Sequence, residues 1–574
     1  MKHRAVPIVL LSLLLALPLS IGAGASSRSA WPGAVEGPGL SSKATFPVSA
    51  VREALVLNSA GTITAAELRD YLSFVASDDM EGRADPSRGL DITAEFIATM
   101  LSRAGVKPAG DDGAYFQRIA LKKEKVVADG TQVEVAGSKF SYGKDFLAQG
   151  SGGSVTAPMV FAGDGWFVKS KNVDAYREID PEGKIVVIAS STTTNLPPGV
   201  TFADIMGGKQ GEDWIDPATY ARQKGAVGII MLNSLVTQAN PDMMERTRKA
   251  AEEGRFYVEK LRTTATLPTI VANYPLAQAI FNAQRETART ILMIPEGSPG
   301  VKPFQLSPER KITITVKTTS DTVITQNVVA VVEGSDPTLR TEYVALGAHY
   351  DHVGTGRAIK GDEVYNGADD DGSGTVALVA MAEALMKAPR HPKRSILFVW
   401  HMGEEMGLWG SQYFTTFPTV PLDKVVAQLN IDMIGRSRPA ADNDPRDKDL
   451  SGPNELYVIG SKMMSTGLGE LSEAVNANYL KLSFNYKYDD PKDPQQFFYR
   501  SDHINYARKG VPIIFYFTGV HADYHQPGDE VSKIDFPKFE KIARTIYVTM
   551  WEIAESKTRP KVDKPLPKGT MPTP

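Results

Sequence analysis

Five short stretches hold the side chains of this 574-residue sequence best suited to chemistry. The first is Gly347-Ala348-His349-Tyr350-Asp351-His352. His349 and Asp351 stand two residues apart, so in extended backbone both face the same side. A neutral imidazole is a good zinc ligand, and a nearby carboxylate fixes its tautomer. The second stretch, Asn366 to Gly374, sets Asp369, Asp370 and Asp371 in a row. Like charges that close repel, and a bound cation relieves the repulsion. A cluster capping the helix after Ser373 is the other reading, and both hold if only one aspartate is a ligand. The third, His401 to Leu408, follows an apolar run and pairs Glu404 with Glu405. Two carboxylates at a buried strand end need a metal or a proton to neutralise them. One can then hold metal while the other acts as general base; a solvated turn is the alternative. In the fourth, Asp432 is a lone carboxylate inside the apolar run around Ile431 and Met433, and buried unpaired carboxylates are rare. The fifth, His521 to Asp529, follows the apolar run Val511–Phe517 and brings a second imidazole to the same rim.

Together these stretches offer nitrogen and oxygen donors without sulfur, since the chain has no cysteine. Such a set suits zinc, with cobalt or manganese as substitutes. Two ions about 3.5–4 Å apart that share one carboxylate would activate water and polarise a carbonyl. The lack of cysteine also removes disulfides, iron–sulfur clusters and thiol nucleophiles. Ser501-Asp502-His503 holds the residue types of a serine hydrolase triad, but consecutive side chains diverge and cannot form that relay. There are eight histidines, none of them between residues 4 and 348, so the imidazoles concentrate where the carboxylate loops are.

The elements that must position these loops are legible from hydrophobic runs. Apolar strands are predicted at Val328–Val332, Val344–Leu346, Ile396–Trp400, Ala427–Ile431, Tyr457–Ile459 and Val511–Phe517, alternating with helical patterns. Their near-continuous hydrophobicity predicts burial on both faces. The fold class is therefore α/β, with a central, mostly parallel (mixed) sheet flanked by helices. In such sheets ligands bind outside the carboxyl ends of the strands. Upstream, Thr64-Ala65-Ala66-Glu67 is a capping-box pattern opening one helix, and a second runs from Leu90 to Ala104 and stops at Gly105. Between about 146 and 304 the texture changes to short β-rich runs such as Lys184–Ile188 and Gly228–Leu232. The charged stretch from Asn240 to Leu261 reads as helical. This middle segment has no histidine and no clustered metal donors, and reads as a structural or substrate-gating domain.

The chain is 42% hydrophobic and 23% charged with a formal charge of -4. This excludes disordered, collagenous and coiled-coil chains, and gives no basic bias toward nucleic acid. Lys2 to Arg4, the apolar run Ala5–Leu17 and Ala23-Gly24-Ala25 read as a secretory signal peptide, so the expected location is periplasmic or secreted. No other run approaches the ~20 apolar residues of a spanning helix, and no stable membrane insertion is expected. Residues 26–60 read as a flexible lead-in and the proline-rich 557–574 as a disordered tail.

The ordered set GAHYDHVG, NGADDDGSG, GEEMGLWGS, NIDMIG and YRSDHINYARKGVPIIFYFTG with DYHQPGDE resembles the M28 family of zinc metallopeptidases. This aminopeptidase-like group includes bacterial leucyl aminopeptidases and glutamate carboxypeptidases. The opening helices and the stretch Ser77 to Arg83 between them are similar to that family's amino-terminal segment. Glu182-Gly183-Lys184 and Lys224 to Gly228, each before a strand, resemble a protease-associated (PA) domain. With the signal peptide read at 1–25, the resemblance implies a peptidase domain split between 61–145 and 305–556 and a PA insert at 146–304. It further implies two zinc ions per chain: His349 and Asp432 on one, Glu405 and His525 on the other, and Asp370 bridging. Glu404 would be the general base on the attacking water, Asp351 would orient His349, and Tyr524 would hydrogen bond the developing oxyanion. The remaining late histidines would be supporting or surface groups. The expected activity is release of amino-terminal residues from peptides. The alternatives are a glutamate-carboxypeptidase-like exopeptidase, with Arg357, Arg436 and Arg500 as candidate carboxylate partners, a single-zinc glutaminyl-cyclase-like acyltransferase, and a non-enzymatic binding protein.

Overall fold

The computed structural model describes residues 56–566, apart from 149, 151, 190–195, 202–203, 206–209, 263–265 and 294–299. The signal-peptide reading, almost all of the lead-in and residues 567–574 of the tail lie outside the described residues.

The apolar runs assemble into a ten-stranded mixed sheet. Its strands that matter here are β1 (Phe116–Val126), β2 (Arg255–Val258), β3 (Thr318–Val332), β4 (Tyr343–His349), β5 (Ser395–His401), β6 (Val425–Ile431), β7 (Glu455–Ile459), β8 (Ser483–Asn485) and β9 (Ile513–Phe517). They lie in the order β2-β1-β3-β5-β4-β6-β9-β7-β8. The four central strands β5, β4, β6 and β9 are mutually parallel, while β3 and β7 flank them antiparallel. All four central strands therefore end on one rim, where His349 pairs in register with His401 and Gly347 with Asn430. Antiparallel partners at both margins make the sheet mixed, as the sequence predicts.

Burial on both faces follows from the side-chain alternation. Val344, Leu346 and Ala348 of β4 pack into one core while Ala345 packs into another on the opposite face. The first core is covered by α1 (Ala65–Val75), α2 (Arg88–Ala104), α3 (Gly374–Met386) and the long carboxy-terminal helix α6 (Phe536–Glu555). The opposite one is covered by α4 (Trp409–Thr416) and α5 (His503–Arg508). Every residue of helix α3 from Gly374 to Leu385 is buried, and its one charged side chain there, Glu383, accepts from the Tyr71 hydroxyl; a helix so largely apolar belongs in a core. Thr64 caps α1, its Oγ1 accepting the Glu67 N–H at 3.2 Å. Helix α2 ends on Gly105 at φ +81°, the left-handed conformation that glycine adopts without a Cβ penalty.

The middle segment builds a nine-stranded sheet with its own apolar core. Its strands extend past 146–304 on both sides. Gln132–Val135 and Lys311–Val316 pair with each other, and Lys311–Val316 also pairs with Gly153–Phe161. In the opposite sense, β2 comes from the middle segment yet pairs antiparallel with β1 of the larger sheet. This corrects the helical reading of Asn240–Leu261. The helix spans Pro241–Glu253 and stops at Gly254, φ +92°. Beyond it, Arg255-Phe256-Tyr257-Val258 is rich in aromatic and branched residues, favours extended backbone and finds an open edge. Among the described residues no helix is long and apolar enough to cross a membrane.

Candidate metal centre

The carboxyl ends of the four parallel strands carry the five loops singled out above, and the structure closes them on one point. Asp370 stands at the middle. Its Oδ1 lies 3.3 Å from His349 Nε2, which is 3.7 Å from Asp432 Oδ1. Its Oδ2 faces the other way, 3.2 Å from His525 Nε2 and 3.7 Å from His352 Nδ1. Glu405 completes that second group, with Oε2 3.0 Å from His525 Nε2 and Oε1 2.9 Å from His352 Nδ1. His349, Asp370 and Asp432 are positioned to hold one cation, and His352, Asp370 and Glu405 a second, with Asp370 common to both. His525 faces the second group as well.

Local sequence explains the geometry. Asp371 does not enter either group. Its carboxylate accepts the N–H groups of His349 at 3.1 Å, Gly374 at 2.8 Å and Met433 at 3.3 Å, so it ties three site loops together. Gly374 is required beneath it, because a Cβ there would lie 2.4 Å from both Asp371 Oδ1 and the Ile431 carbonyl. Asp369 accepts the Gly435 N–H at 2.6 Å. Asp529 accepts the N–H groups of Asp369 and Asp370 at 3.0 Å each and so fixes the backbone of the central carboxylate. The Asp351 carboxylate holds the backbone of the paired glutamates, accepting from Glu404 N at 3.1 Å and Glu405 N at 3.2 Å. Its contact with His349 is made more closely through its backbone carbonyl, 3.1 Å from Nδ1, than through Oδ1 at 3.6 Å.

The electrostatics are those of a site short of positive charge. Burial would lower the His349 pKa, but Asp351, Asp370 and Asp432 raise it well above the ordinary imidazole value. His525 is pushed up to about 11 by Glu405 and Asp370 against the same desolvation. Burial opposes ionisation of Glu405, yet His525 and His352 hold it down to about 2. The Glu404 carboxyl keeps some surface toward the cleft but is enclosed by protein. Desolvation pushes its pKa well above the carboxylate range, and Glu405 and Asp432 add to the shift against the pull of His349. Asp370 Oδ2, Glu405 Oε1, His525 Nε2 and both ring nitrogens of His352 are buried without a hydrogen-bond partner. Buried polar atoms are normally satisfied. Orphaned imidazole and carboxylate donors converging from several loops suit a divalent metal, zinc first.

A narrow cleft opens beside Asp370, Glu404 and Asp432, lined also by Met433, Phe497, Phe515, Phe517 and Val520 and by Tyr524 and Arg500. The Tyr524 ring stacks on His525 at 3.9 Å between centroids. Burial together with Asp370 and Glu405 raises its pKa well above the ordinary phenol, so its hydroxyl stays a donor. Of the three arginines singled out by sequence, Arg500 alone lines the cleft. Arg436 pairs with Asp523 at 3.0 Å and Asp529 at 3.6 Å, and Arg357 is exposed on the strand Thr355–Ile359. Ser501, Asp502 and His503 go separate ways: Ser501 Oγ accepts from Asn430, Asp502 pairs with His401 at 3.2 Å, and His503 Nε2 meets the Phe498 carbonyl.

Two supporting groups escaped the sequence reading. His352 was expected among the supporting histidines but stands in a donor group; a second histidine one residue beyond Asp351 was the available sign. Arg83, fully buried, donates to the carbonyls of Tyr350 (3.0 Å), Val75 (2.8 Å), Asn366 (2.7 Å) and Gly367 (2.9 Å). Nothing local in its sequence reveals a partner 284 positions away.

Residues 327–550 match the model of peptidase family M28. Leucine aminopeptidase 2 of Trichophyton equinum is 29% identical over 281 residues, 44% of this chain and 50% of that protein. A probable zinc metalloprotease of Pyrenophora tritici-repentis is 28% identical over 273 residues, 42% of this chain and 53% of that protein. The chain thus spans about half the length of the curated relatives it matches. Among solved structures, an aminopeptidase from Aneurinibacillus sp. strain AM-1 aligns over 88% of this chain and 97% of its own, with 16% identity and a TM-score of 0.47. The segment that matches the peptidase family M28 model, 327–550, carries every donor of the centre.

Proposed function

We propose that this protein is a zinc-dependent aminopeptidase. The observation that carries the proposal is the pair of donor groups on the two oxygens of Asp370, with the Glu404 carboxyl beside them in the cleft. His349, Asp432, Glu405 and His525, with Asp370 between them, would hold two zinc ions. Bound there, zinc supplies Lewis-acid polarisation of a peptide carbonyl and acidifies an attacking water. Glu404 is the general base. From its place in the cleft beside both donor groups it would take the water's proton and pass it to the leaving amine. Asp351 fixes the backbone from which Glu404 projects. The Tyr524 hydroxyl donates to the oxyanion as it develops. The carboxylates around the cleft favour a substrate ammonium, hence the free amino end of a peptide. Members named leucine aminopeptidase and zinc metalloprotease among the relatives support this reading.

Arg500 favours a second reading. Its guanidinium lies 4.6 Å from the centroid of the Phe497 ring, and no ion pair of it occurs among the described residues. A cation there can anchor a substrate carboxylate, the demand of a glutamate-carboxypeptidase-like enzyme. Aminoacyl chromogenic substrates and amino-blocked peptides, each with and without a chelator, separate the two. The aminopeptidase reading expects chelator-sensitive turnover of the free-amine substrates alone. Turnover of only the blocked peptides refutes it, and a single zinc per chain would favour the acyltransferase alternative. We further infer that the insert is a PA-type module and that the protein is exported. Mass measurement of the mature amino terminus, with cleavage after Ala25 expected, checks the second point.

A further inference from the structure

The two donor groups are unequal. His349, Asp370 and Asp432 offer three side chains to one position. The other is faced by four: His352, Asp370, Glu405 and His525. Their contacting atoms are 2.9–3.7 Å apart. A tetrahedral zinc with the usual bonds near 2.0–2.1 Å holds its donors about 3.3 Å apart. The His352 ring is also fixed in place. Its backbone N–H bonds to the Arg83 carbonyl at 3.1 Å. The ring lies against Gly367, where a Cβ would come within 2.5 Å of Cδ2. It meets the His525 ring edge-on at 5.5 Å. Nδ1 comes within 2.9 Å of Glu405 Oε1, yet neither atom has a well-angled hydrogen-bond partner. That is the arrangement of two donors aimed at a common third point, not of a hydrogen bond between them.

We propose that His352 is a fourth protein ligand of the metal held by Asp370, Glu405 and His525. The inference rests on the dinuclear reading above. It makes the pair of positions asymmetric, one closed by four protein donors and the other keeping an open coordination place. Closed sites are the tightly held ones and open sites the reactive ones. The first equivalent of zinc therefore enters the His352 position, and the second, at His349 and Asp432, exchanges more readily.

X-ray absorption at the zinc edge on wild-type protein loaded with one equivalent tests this directly, because it counts imidazoles without needing a variant to fold. Two imidazoles per zinc are expected; one overturns the proposal. The companion measurement is zinc retained against a graded chelator in wild type, H352A and H352Q. Glutamine keeps a hydrogen-bond donor toward Glu405 but is a poor zinc ligand. Both variants are expected to release the tightly held ion at chelator strengths more than about 100-fold lower. A loss in H352Q of about 100-fold or less, the range expected when a group that merely supports a ligand is removed, would show His352 to be a positioning residue and overturns the assignment. Wild type binding no zinc refutes the dinuclear reading itself. Two bound zincs with one imidazole each refute only the role of His352.

Discussion

Glu404 and Glu405 are neighbours with opposite electrostatic fates, and that contrast separates their work. Two imidazoles hold Glu405 ionised at about 2 against its burial. Glu404 is drawn down by His349, but desolvation and the adjacent carboxylates outweigh that pull and push it up. A carboxyl with raised affinity for protons suits a general base that must also return the proton, whereas a permanently ionised one suits a ligand. Glu404→Gln should therefore keep its metal, since Glu404 belongs to neither donor group, while turnover falls by about 10²–10⁴-fold. Zinc content by elemental analysis and kcat on an aminoacyl substrate check both halves. Near-normal turnover would remove Glu404 from the mechanism. The sequence made this pair legible because both residues sit in one loop after one apolar strand. Whether His352 was a supporting group or a donor was not legible, because that depends on where a loop from another strand places Glu405.

At the scale of elements, the loops hang on strands whose ends the sequence locates well. Each apolar run is short, continuous and followed at once by its polar motif, so β4, β5, β6 and β9 could be read together with the residues they deliver. What holds the loops to the rest was not readable, because it acts across the chain. Arg83 closes the turn after α1, then reaches the loop after β4 and the turn at Asn366–Gly367. Burial depresses its pKa to about 10 against the pull of Asp351 and Asp370, so at neutral pH it remains charged. Replacing it by methionine leaves four buried carbonyls without that donor, and the expected loss is about 3–5 kcal/mol. Arg83→Lys, which keeps the charge but not the planar fork, should fall between. Urea denaturation of the three proteins measures the order. A methionine variant as stable as wild type would show that α1 and the site loops do not depend on this clamp. Strand pairing obscures domain edges in the same way. Strand β2 leaves the insert to join β1, and Lys311–Val316 leaves the predicted peptidase half to join the insert, exchanges that no composition shift marks.

For the whole molecule, the helical cover must be fastened to the catalytic rim, and one buried cation does much of it. Lys538, in the first turn of α6, is 1% exposed. Its Nζ donates to the Arg436 carbonyl at 2.9 Å and to Ser451 Oγ at 2.8 Å. Arg436 in turn pairs with Asp529 at 3.6 Å, and Asp529 holds the backbone of Asp369 and Asp370. Burial lowers the Lys538 pKa from its ordinary 10.5 to about 8, although Asp369, Asp535 and Glu455 partly restore it. The sign of the linkage follows. Between about 8 and 10.5 the unfolded chain carries a proton on this amine that the folded chain has released, so folding stability rises with pH across that window. Below it both states are protonated and the cost of the buried cation is constant; above it both are neutral. A shift of this size corresponds to about 3 kcal/mol. Other groups titrate in the same range, so the measurement is a difference. Free energies of unfolding for wild type and Lys538→Met, taken from pH 7 to 11, should diverge in favour of wild type through that window and run parallel below it. Parallel curves throughout would mean that Lys538 reaches water, and that the fastening of α6 to the rim is looser than its hydrogen bonds imply.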